Sequence, residues 1–310
     1  MKHPLISICI AAYNAEKYLE ATLRTIQSQT FKDWELIVTE DGSKDRTEDF
    51  VFDFSLKAPQ NVVYNRHPAN RGLPATRNTG AATASGEWIV FLDADDLWKP
   101  DHLENLVSAS HIETSDAVFS GSVEYDDATW TKLRTHSPSN RDLTDLPLAL
   151  YTGRLAIKSS AAMIKRESLQ RFGPIAADFP LCSDTEYWLR ILSQGGHLLF
   201  SGANTCIYRQ HNASLSRKTA STLIETARIC EHYAEWATIP RLIARTRTAS
   251  LYRWAGRSLL DENPADALKP LYSSLRLVPL NPKTLGLWAK AFIRQGTHSR
   301  RPAPANRQAA

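Results

Sequence analysis

Three carboxylates, Asp93, Asp95 and Asp96, stand within four residues of one another, directly after the apolar run Trp88–Leu92. Burying such charges without a partner is costly, so they must face water or meet a positive charge. Side chains two apart on an extended segment point to the same side, so Asp93 and Asp95 can converge on one cation. Hard ions such as Mg²⁺ favour one or two carboxylates together with substrate phosphate oxygens. A metal–diphosphate site is thus indicated, although an acidic turn that caps the next helix is the commoner explanation of an isolated Asp-x-Asp pair.

Strands predicted to be buried on both faces precede the polar clusters of the first hundred residues. Leu5–Ala12, Trp34–Thr39 and Trp88–Leu92 are apolar runs of the kind found inside parallel sheets. Helical spacing lies between them, and Asn14 is predicted as the N-cap of the first helix. The alternation of strands and helices predicts an α/β fold with a mixed, mostly parallel central sheet flanked by helices.

Polar residues follow each of these strands. Tyr13 and Asn14 come after the first, Glu40 and Asp41 after the second, and the acidic cluster after the third. Ligands of open α/β sheets bind outside the carboxyl ends of the strands. We therefore expect these residues to contribute to one shared site.

The sequence downstream of the acidic cluster predicts further strands and helices. The predicted elements are a helix that opens at 99–101, an antiparallel hairpin at 117–125 and 130–133, a strand at 161–164, helices at 166–172 and 184–193, and two separate strands at 197–201 and 205–209. The polar stretch 126–147 has no assignment.

The character of the sequence changes after about residue 215, where strand patterns end. Four helices are predicted at 219–237, 241–260, 264–277 and 281–295, separated by prolines. We therefore predict a first domain at 1–215. An all-helical extension at 216–310 follows, and its basic tail is expected to be disordered.

The composition is that of an ordinary soluble globular protein, with 310 residues, 43% hydrophobic and 23% charged. A net charge of +4 does not by itself indicate a nucleic-acid-binding protein. The four cysteines show neither disulfide nor zinc-ligand spacing, which favours a reducing compartment. Without a signal-peptide pattern or an apolar run near the ~20 residues of a membrane span, we expect a cytoplasmic protein, or one peripheral at the inner face of the membrane.

Several common catalytic motifs are absent from the sequence. No Gly-x-Gly-x-x-Gly follows the first strand, which argues against a dinucleotide-binding dehydrogenase. There is no Walker-type phosphate loop, no Gly-x-Ser-x-Gly elbow and no His or Cys cluster for zinc. Acids at strand ends, together with a positioned base, are what remain.

Six short segments, in order, resemble the successive motifs of the inverting family 2 glycosyltransferases. They are Tyr13-Asn14, Glu40–Ser43, Asn70–Gly72 with Ala75–Gly80, Asp93–Asp96, Asp184–Arg190 and Tyr208–Ser216. The resemblance covers about the first two-thirds of the chain. It implies a GT-A, Rossmann-like fold, a nucleotide-sugar donor, a divalent metal and a hexosyltransferase type of activity. It also implies that the first domain consists of a nucleotide-binding half at 1–100 and an acceptor half at 101–215.

The resemblance also implies which residues bind the donor. They are Ala12, Tyr13, Asn14, Asp41, Arg71, Arg77, Asp93 and Asp96. Asp41 would accept the N3–H of a uracil-type base, for which a charged acceptor is well suited. Arg71 and Arg77 would approach the donor phosphate or sugar with their guanidinium groups.

The metal and the base are implied in the same way. Asp95, Asp93 and His211 would bind Mn²⁺ or Mg²⁺, which would neutralise charge on the departing nucleoside diphosphate. Asp184 would be the base that takes the proton of the acceptor hydroxyl, with Glu186 as the fallback base. The sequence departs from the family at Ser183, where relatives have Glu, and at Ala11, where they often have Pro.

Plainer structural roles remain open for most of these residues. They are a core aromatic for Tyr13, a turn residue for Asp41, solvated arginines for Arg71 and Arg77, helix caps for Asp96 and Asp184, and an exposed loop histidine for His211.

The resemblance implies a metal-dependent inverting glycosyltransferase that moves a sugar, from a UDP-sugar, to a hydroxyl of a surface glycan or lipid-linked acceptor. Its partners would be this donor and acceptor, without nucleic acid, and the helical extension would contact a membrane or a protein. A nucleotidyltransferase and a catalytically silent binding module for nucleotide sugars or glycans are the alternatives. The sugar, the acceptor, the linkage, the choice of Mn²⁺ or Mg²⁺, the oligomeric state and the role of the helical extension are left open.

Overall fold

The computed structural model describes residues 4–211 and 219–298. It divides into two compact units, Met1–Ser214 and Leu215–Ala310. The basic tail that the sequence predicts to be disordered begins at Arg294; its residues 294–298 are helical, which corrects the prediction there, and the rest lies outside the described residues.

The first unit alternates strands and helices and then continues with a more irregular second half. Its elements are β1 (Ile6–Ala12), α1 (Leu19–Gln27), β2 (Trp34–Glu40), α2 (Thr47–Ser55), β3 (Val62–Arg66), α3 (Leu73–Thr83), β4 (Trp88–Asp93), β5 (Leu97–Trp98), α4 (His102–Val107), β6 (Ala117–Asp126), β7 (Lys132–His136), α5 (Asn140–Thr144), α6 (Leu146–Thr152), β8 (Ala162–Lys165), α7 (Arg166–Phe172), α8 (Ser183–Ser193) and β9 (Leu198–Gln210).

These strands form one sheet in the described part of the unit, in the order β3-β2-β1-β4-β8-β6-β9-β5, with β7 paired to β6. β3, β2, β1 and β4 are parallel, and β8 is antiparallel to both β4 and β6. β9 then runs parallel to β6. The predicted α/β class with a mixed sheet is confirmed.

The core follows from the apolar runs that predicted the strands. Side chains on both faces of β1, β2 and β4 are buried, because helices cover the sheet on each side. Ile8, Leu36, Val90 and Leu92 are completely inaccessible to solvent. Burying such a side chain is worth about 1.5–3 kcal/mol, so the strands ending at the polar clusters are firmly placed.

At the start of helices, one prediction is wrong and one alternative explanation is excluded. Asn14 does not cap α1, because its side-chain Oδ1 accepts the N–H of Lys44 and its own backbone is left-handed, with φ of 47°. The acidic cluster does not cap a helix either, because β5 follows it, and Asp101 at the start of α4 makes no side-chain cap.

Two strand predictions also need correction. Residues 197–201 and 205–209 belong to one strand, β9, because its pairing with β6 shifts register around Gly121 instead of ending. β7 begins at Lys132, because Trp130 has a positive φ of 54° and belongs to the preceding turn. The unassigned stretch 126–147 contains β7, α5 and the start of α6.

The second unit is helical in its described residues. It consists of α9 (Thr219–His232), α10 (Arg241–Leu259), α11 (Pro264–Leu277) and α12 (Pro282–His298). The first of these ends five residues before the predicted end at 237. Leu260, Ala267, Leu271 and Ala291 form a small buried core. Across residues 4–211 and 219–298, none of the helices combines the length and apolarity needed to cross a bilayer.

Candidate active site

The carboxyl ends of β1, β2 and β4 bring three of the polar segments together. In the strand register Ala12 lies opposite Glu40, and Ala11 lies opposite Asp93. Parallel strands 4.7–4.9 Å apart, a spacing typical of sheets in general, place the residues that follow them along one edge. The predicted shared edge is thus formed by Ala12, Asp41 and the acidic cluster.

Asp93 ends β4 and is held by an arginine from α3. Arg77 Nη2 lies 2.6 Å from Asp93 Oδ1, and Nη1 donates to Ser183 Oγ at 3.3 Å. Burial raises the pKa of Asp93, and the negative charges of Asp95 and Asp184 raise it further, while Arg77 opposes these effects. The side chain of Arg77 is only 4% exposed, so it is not a solvated helix arginine.

Asp95 is as accessible as Asp93 and pairs with a histidine. Its Oδ2 lies 2.7 Å from His211 Nε2, and about a third of its side chain reaches solvent. The imidazole of His211 stacks on the ring of Tyr18 with a centroid distance of 4.4 Å. His211 is therefore not an exposed loop histidine. It forms a pair with Asp95 at the end of β9.

Asp96 is buried and points away from solvent. Its Oδ2 accepts the hydroxyl proton of Ser160 at 2.5 Å, and its Oδ1 accepts the backbone N–H of Arg209 at 3.2 Å. Burial, together with the charges of Asp95 and Asp93, raises the pKa of Asp96 well above the usual value. In this conformation Asp96 ties the acidic turn to β9.

Asp41 lies at the end of β2 with both carboxylate oxygens already engaged. Oδ1 accepts from His67 Nδ1 at 2.7 Å and from the Arg71 N–H at 2.9 Å, while Oδ2 accepts the Gly72 N–H at 2.8 Å. Burial alone would raise the pKa of Asp41. These hydrogen bonds, together with one from Thr76, outweigh it and lower that pKa. A nucleobase would have to replace one of these donors to bind this carboxylate.

The remaining donor-side residues are more open. Tyr13 is half exposed and therefore not a core aromatic, and the side chain of Arg71 is also exposed. The backbone N–H of Asn14 donates to Ser43 Oγ at 2.9 Å. This bond fixes the β1–α1 loop, which carries Tyr13, against the loop after β2.

The two candidate bases lie on α8 in different surroundings. Asp184 is partly exposed in the first turn, and Cys182 precedes the helix, so Asp184 is not its N-cap. Glu186 is buried and paired with Arg190, with Nη2 to Oε2 at 2.5 Å. The charge of Asp184 acts on Asp93, whereas Glu186 is neutralised by its own ion pair.

Three residues that contact the site were not among the predicted site residues. Ser160 bridges the cluster, since it donates to Asp96 and accepts the Asp93 N–H at 3.1 Å. Arg209 lies with its guanidinium over the Tyr18 ring at 4.8 Å. Ser183 stands where the family pattern has Glu, yet it is buried and bonded to Arg77. Only the departure at Ser183 could have drawn attention beforehand.

The donor set suits a divalent ion that a substrate helps to hold. Within residues 4–211 and 219–298, no three His, Cys, Asp or Glu side chains come together as a metal cage. Mg²⁺-type ions are bound by one or two carboxylates plus substrate phosphates, so such a cage is not required. Asp95 and Asp93 expose 32% and 31% of their side chains, and like charges raise the pKa of Asp93. A cation fits this pair of carboxylates.

The chain matches known protein families and curated relatives. The family model described as Glycosyl transferase family 2 matches residues 7–173. The putative teichuronic acid biosynthesis glycosyltransferase TuaG of Bacillus subtilis is 30% identical over 217 residues, covering 69% of this chain and 82% of TuaG. The UDP-Glc:alpha-D-GlcNAc-diphosphoundecaprenol beta-1,3-glucosyltransferase WfaP of Escherichia coli is 28% identical over 227 residues, covering 73% of this chain and 85% of WfaP.

Solved structures share the fold at low sequence identity. Staphylococcus aureus TarS 1–349 in complex with UDP-GlcNAc has a TM-score of 0.65 at 17% identity, over 94% of this chain and 92% of that one. The mannosyltransferase PcManGT of Pyrobaculum calidifontis, in complex with GDP-Man and Mn²⁺, has a TM-score of 0.63 at 18% identity, over 97% and 89%.

Proposed function

The chain belongs to glycosyl transferase family 2, and from that premise we propose a metal-dependent, inverting transfer of a hexosyl group. The donor is a UDP-sugar, and the acceptor is a hydroxyl of a glycan or a lipid-linked saccharide in surface polysaccharide synthesis. WfaP is named for UDP-Glc and a diphosphoundecaprenol-linked acceptor, which supports this choice of substrates. The structure of PcManGT contains Mn²⁺, which supports a divalent metal.

One observation carries the proposal, and it is the convergence of three carboxylates from distant parts of the chain. Asp93 ends β4, Asp95 lies two residues after it, and Asp184 lies in the first turn of α8. The charges of Asp95 and Asp184 both raise the pKa of Asp93. Arg77 contacts both Asp93 and the neighbour of Asp184, Ser183. A carboxylate pair for the metal and a third carboxylate for the acceptor proton are what this reaction needs.

The residues of the site divide the work of the reaction. Asp95, with Asp93 or His211, would hold the ion, whose Lewis acidity neutralises charge on the departing diphosphate. Asp184 accepts the proton of the acceptor hydroxyl as that oxygen bonds to the anomeric carbon. The bond from this carbon to the diphosphate oxygen breaks, and attack from the opposite face inverts the configuration. Arg77 keeps Asp93 oriented and favours its ionised form.

Nucleotide recognition involves the loop between β3 and α3. We propose that Asp41 still accepts the N3–H of the uracil, and that the base displaces one of the donors that Asp41 now binds. Tyr13 provides an exposed ring beside the same strand ends. Arg71 supplies a cation toward the donor phosphates.

Two variants separate donor binding from chemistry. Asp95→Ala removes a metal ligand, so we expect loss of transfer together with weaker Mn²⁺-dependent binding of UDP. Asp184→Asn removes the base, so we expect transfer to fall by about 10²–10⁴-fold while UDP binding stays unchanged. Released nucleoside diphosphate is measured with a panel of nucleotide sugars and Mn²⁺, because donor hydrolysis does not require the acceptor. The control is Asp53→Asn, an exposed carboxylate of α2.

The outcomes also distinguish the alternatives. Full turnover by both variants would refute the assignment of these residues. A nucleotidyltransferase would exchange diphosphate with a nucleotide and leave the panel intact. A catalytically silent module would bind UDP without releasing nucleoside diphosphate from any donor.

A further inference from the structure

A basic groove runs between α10 and α12 of the helical unit. Its volume is about 390 Å³, and it is lined by Arg253, Trp254, Arg257, Pro282, Lys283, Gly286, Leu287 and Lys290. Four of these side chains are cationic, and none is acidic. Lys283 and Lys290 are seven residues apart, two turns of α12, so they share one edge of that helix.

The charge of this surface is not balanced locally. The sequence from Ala267 to Ala310 contains no Asp or Glu, while it contains eight Lys or Arg, more than the net charge of +4 of the whole chain. Within the described residues Lys283 and Lys290 have no ion-pair partner. Arg294, by contrast, pairs with Asp261, with Nη1 to Oδ1 at 2.6 Å. The two lysines are therefore available to an external anion.

Apart from the two lysines, Arg294 and Gln295, the exposed side chains described on α12 are apolar. At 3.6 residues per turn, Leu285 and Phe292 lie along the edge opposite the lysines, and Gly286, Ala289 and Ile293 lie between the two edges. Phe292 and Ile293 are 61% and 65% exposed. We call this surface, made of Lys283, Leu285, Gly286, Ala289, Lys290, Phe292 and Ile293, the α12 face. From Lys283 to Ile293 it is about 15 Å long, since a helix rises 1.5 Å per residue.

We propose that the α12 face docks the protein on the surface of an anionic lipid bilayer. Lysines along one edge of a helix with Leu, Phe and Ile beside them are the pattern of an interfacial helix. The lysines, with Arg253 and Arg257 of the groove, meet lipid phosphates, and Phe292 and Ile293 enter the boundary between headgroups and acyl chains. This docking goes beyond the proposed transfer reaction and does not depend on it.

Two other occupants suit the α12 face less well. Nucleic acid would satisfy the cations but would leave the aliphatic Leu285 and Ile293 without a partner. A second copy of this chain, packed about a two-fold axis, would set the same cationic edge against itself. An anionic bilayer satisfies both halves of the face, because it offers phosphate charge above an apolar interior.

Flotation of the full chain with lipid vesicles tests the proposal. We expect strong binding to phosphatidylcholine vesicles that contain about a third phosphatidylglycerol, weak binding to pure phosphatidylcholine, and release at high salt. Lys283→Gln combined with Lys290→Gln should weaken partition onto anionic vesicles about 30-fold. Ile293→Ser should weaken it about tenfold.

Matched variants of the first unit serve as controls. Lys32→Gln combined with Lys57→Gln removes the same charge from exposed positions, and Phe52→Ser removes a ring exposed to the same 61% as that of Phe292. Both should bind vesicles like the unaltered protein. All variants should keep the unaltered thermal unfolding midpoint and nucleoside diphosphate release, so failure of docking is distinct from failure of the transfer reaction.

Several results would overturn the docking proposal. They are equal binding to neutral and anionic vesicles, no binding, or equal loss in the control variants. Displacement from vesicles by low concentrations of inorganic diphosphate would instead identify the groove as a phosphate site. A change of molecular mass on Ile293→Ser in sedimentation equilibrium would show that the α12 face covers a second copy.

Discussion

Arg77 is the residue on which the geometry of the acidic cluster depends. One guanidinium contacts the end of β4 at Asp93 and the start of α8 at Ser183, so it joins the two halves of the candidate site. A planar fork with several donors can make both contacts, which a lysine ammonium cannot do with the same rigidity. The family resemblance assigned Arg77 to the donor, and the structure adds this bridging contact.

A double-mutant cycle tests the bridge. Arg77→Met leaves Asp93 partly buried without its partner, so we expect the free energy of unfolding to fall by about 2–4 kcal/mol. Asp93→Asn should rescue part of this loss, because the neutral amide needs no counter-charge. Urea unfolding of the unaltered protein, the two single variants and the double variant gives the coupling free energy between Arg77 and Asp93. Additive effects of the two substitutions would contradict a direct interaction.

Asp96 shows that adjacent carboxylates can have different tasks. Its carboxylate oxygens accept hydrogen bonds from the hydroxyl of Ser160 and from the backbone N–H of Arg209, and its side chain is buried. Asp95, next to it, keeps a third of its side chain in solvent. The sequence letters alone do not separate these roles, since both residues are aspartates in one turn.

At the scale of elements, the loop after β3 is positioned by close backbone contact with the loop after β2. Gly42 has φ of +76°, and a Cβ there would lie 2.8 Å from the carbonyl carbon of Ala69. Arg71 and Gly72, which come shortly after Ala69 in the loop, donate their backbone N–H groups to the carboxylate of Asp41. Glycine is required at this position because two backbones nearly touch.

Replacing Gly42 should disturb this contact. We expect Gly42→Ala to lower the free energy of unfolding by about 2 kcal/mol or more and to weaken UDP binding, since the loop must move away from Asp41. The matched control is Gly195→Ala, where φ is +80° and nothing lies within 4 Å of the added Cβ. That change should cost only about 1 kcal/mol and leave UDP binding intact. Equal losses of stability and of UDP binding in the two variants would argue against a close approach of the two backbones at Gly42.

His102 gives α4 a pH-dependent contribution to stability. The ring is completely buried, stacks on Trp98 and bonds Thr205 Oγ1 through Nδ1 at 2.7 Å. Burial lowers the pKa of His102 to about 3, whereas an unfolded histidine has a pKa of about 6.5. Between these values the unfolded chain binds one more proton than the folded chain, so stability is lost as the pH falls.

The contribution of His102 to the pH dependence of stability is measured as the difference between the unaltered protein and a variant without this histidine. From this group we expect the free energy of unfolding to fall by about 1.4 kcal/mol for each pH unit below about 6.5. His102→Asn keeps a polar contact to Thr205 and should remove that slope. Urea unfolding of both proteins between pH 4.5 and 7.5 tests the expectation, because the other histidines cancel in the difference. Parallel curves would show that His102 is protonated with ordinary affinity in the folded protein.

At the scale of the whole molecule, every candidate site residue lies in the first compact unit. The positions run from Ala12 to His211, and the unit extends to Ser214. The second unit has its own small core around Leu271. Site chemistry and the proposed docking surface therefore belong to different units.

A truncation tests this division. A chain of residues 1–214 should fold and release nucleoside diphosphate from the donor at a rate within about threefold of the full chain, because the site is contained in it. The same chain should lose binding to anionic vesicles. Circular dichroism confirms folding, and the two activities are measured as above. A folded but inactive fragment would show that the second unit contributes to the site.

The sequence by itself determined the fold class and the edge of the sheet where the candidate site lies. Short apolar runs rich in β-branched and aromatic residues, such as Trp88–Leu92, indicate central strands, and polar residues directly after parallel strands collect at one edge of the sheet. The ordered motifs, read together, also indicated the family. These are local properties of a chain segment, so they can be read before the chain is folded.

Tertiary structure alone decided which polar atoms meet. The bond of Ser160 to Asp96 joins residues 64 positions apart, and that of Arg77 to Ser183 joins residues 106 apart. The burial of Asp96, the ion pair of Glu186 with Arg190 and the surroundings of the Asp41 carboxylate depend on such packing. No short-range pattern encodes which distant side chain satisfies a given polar atom, because that choice is made when the elements pack against one another.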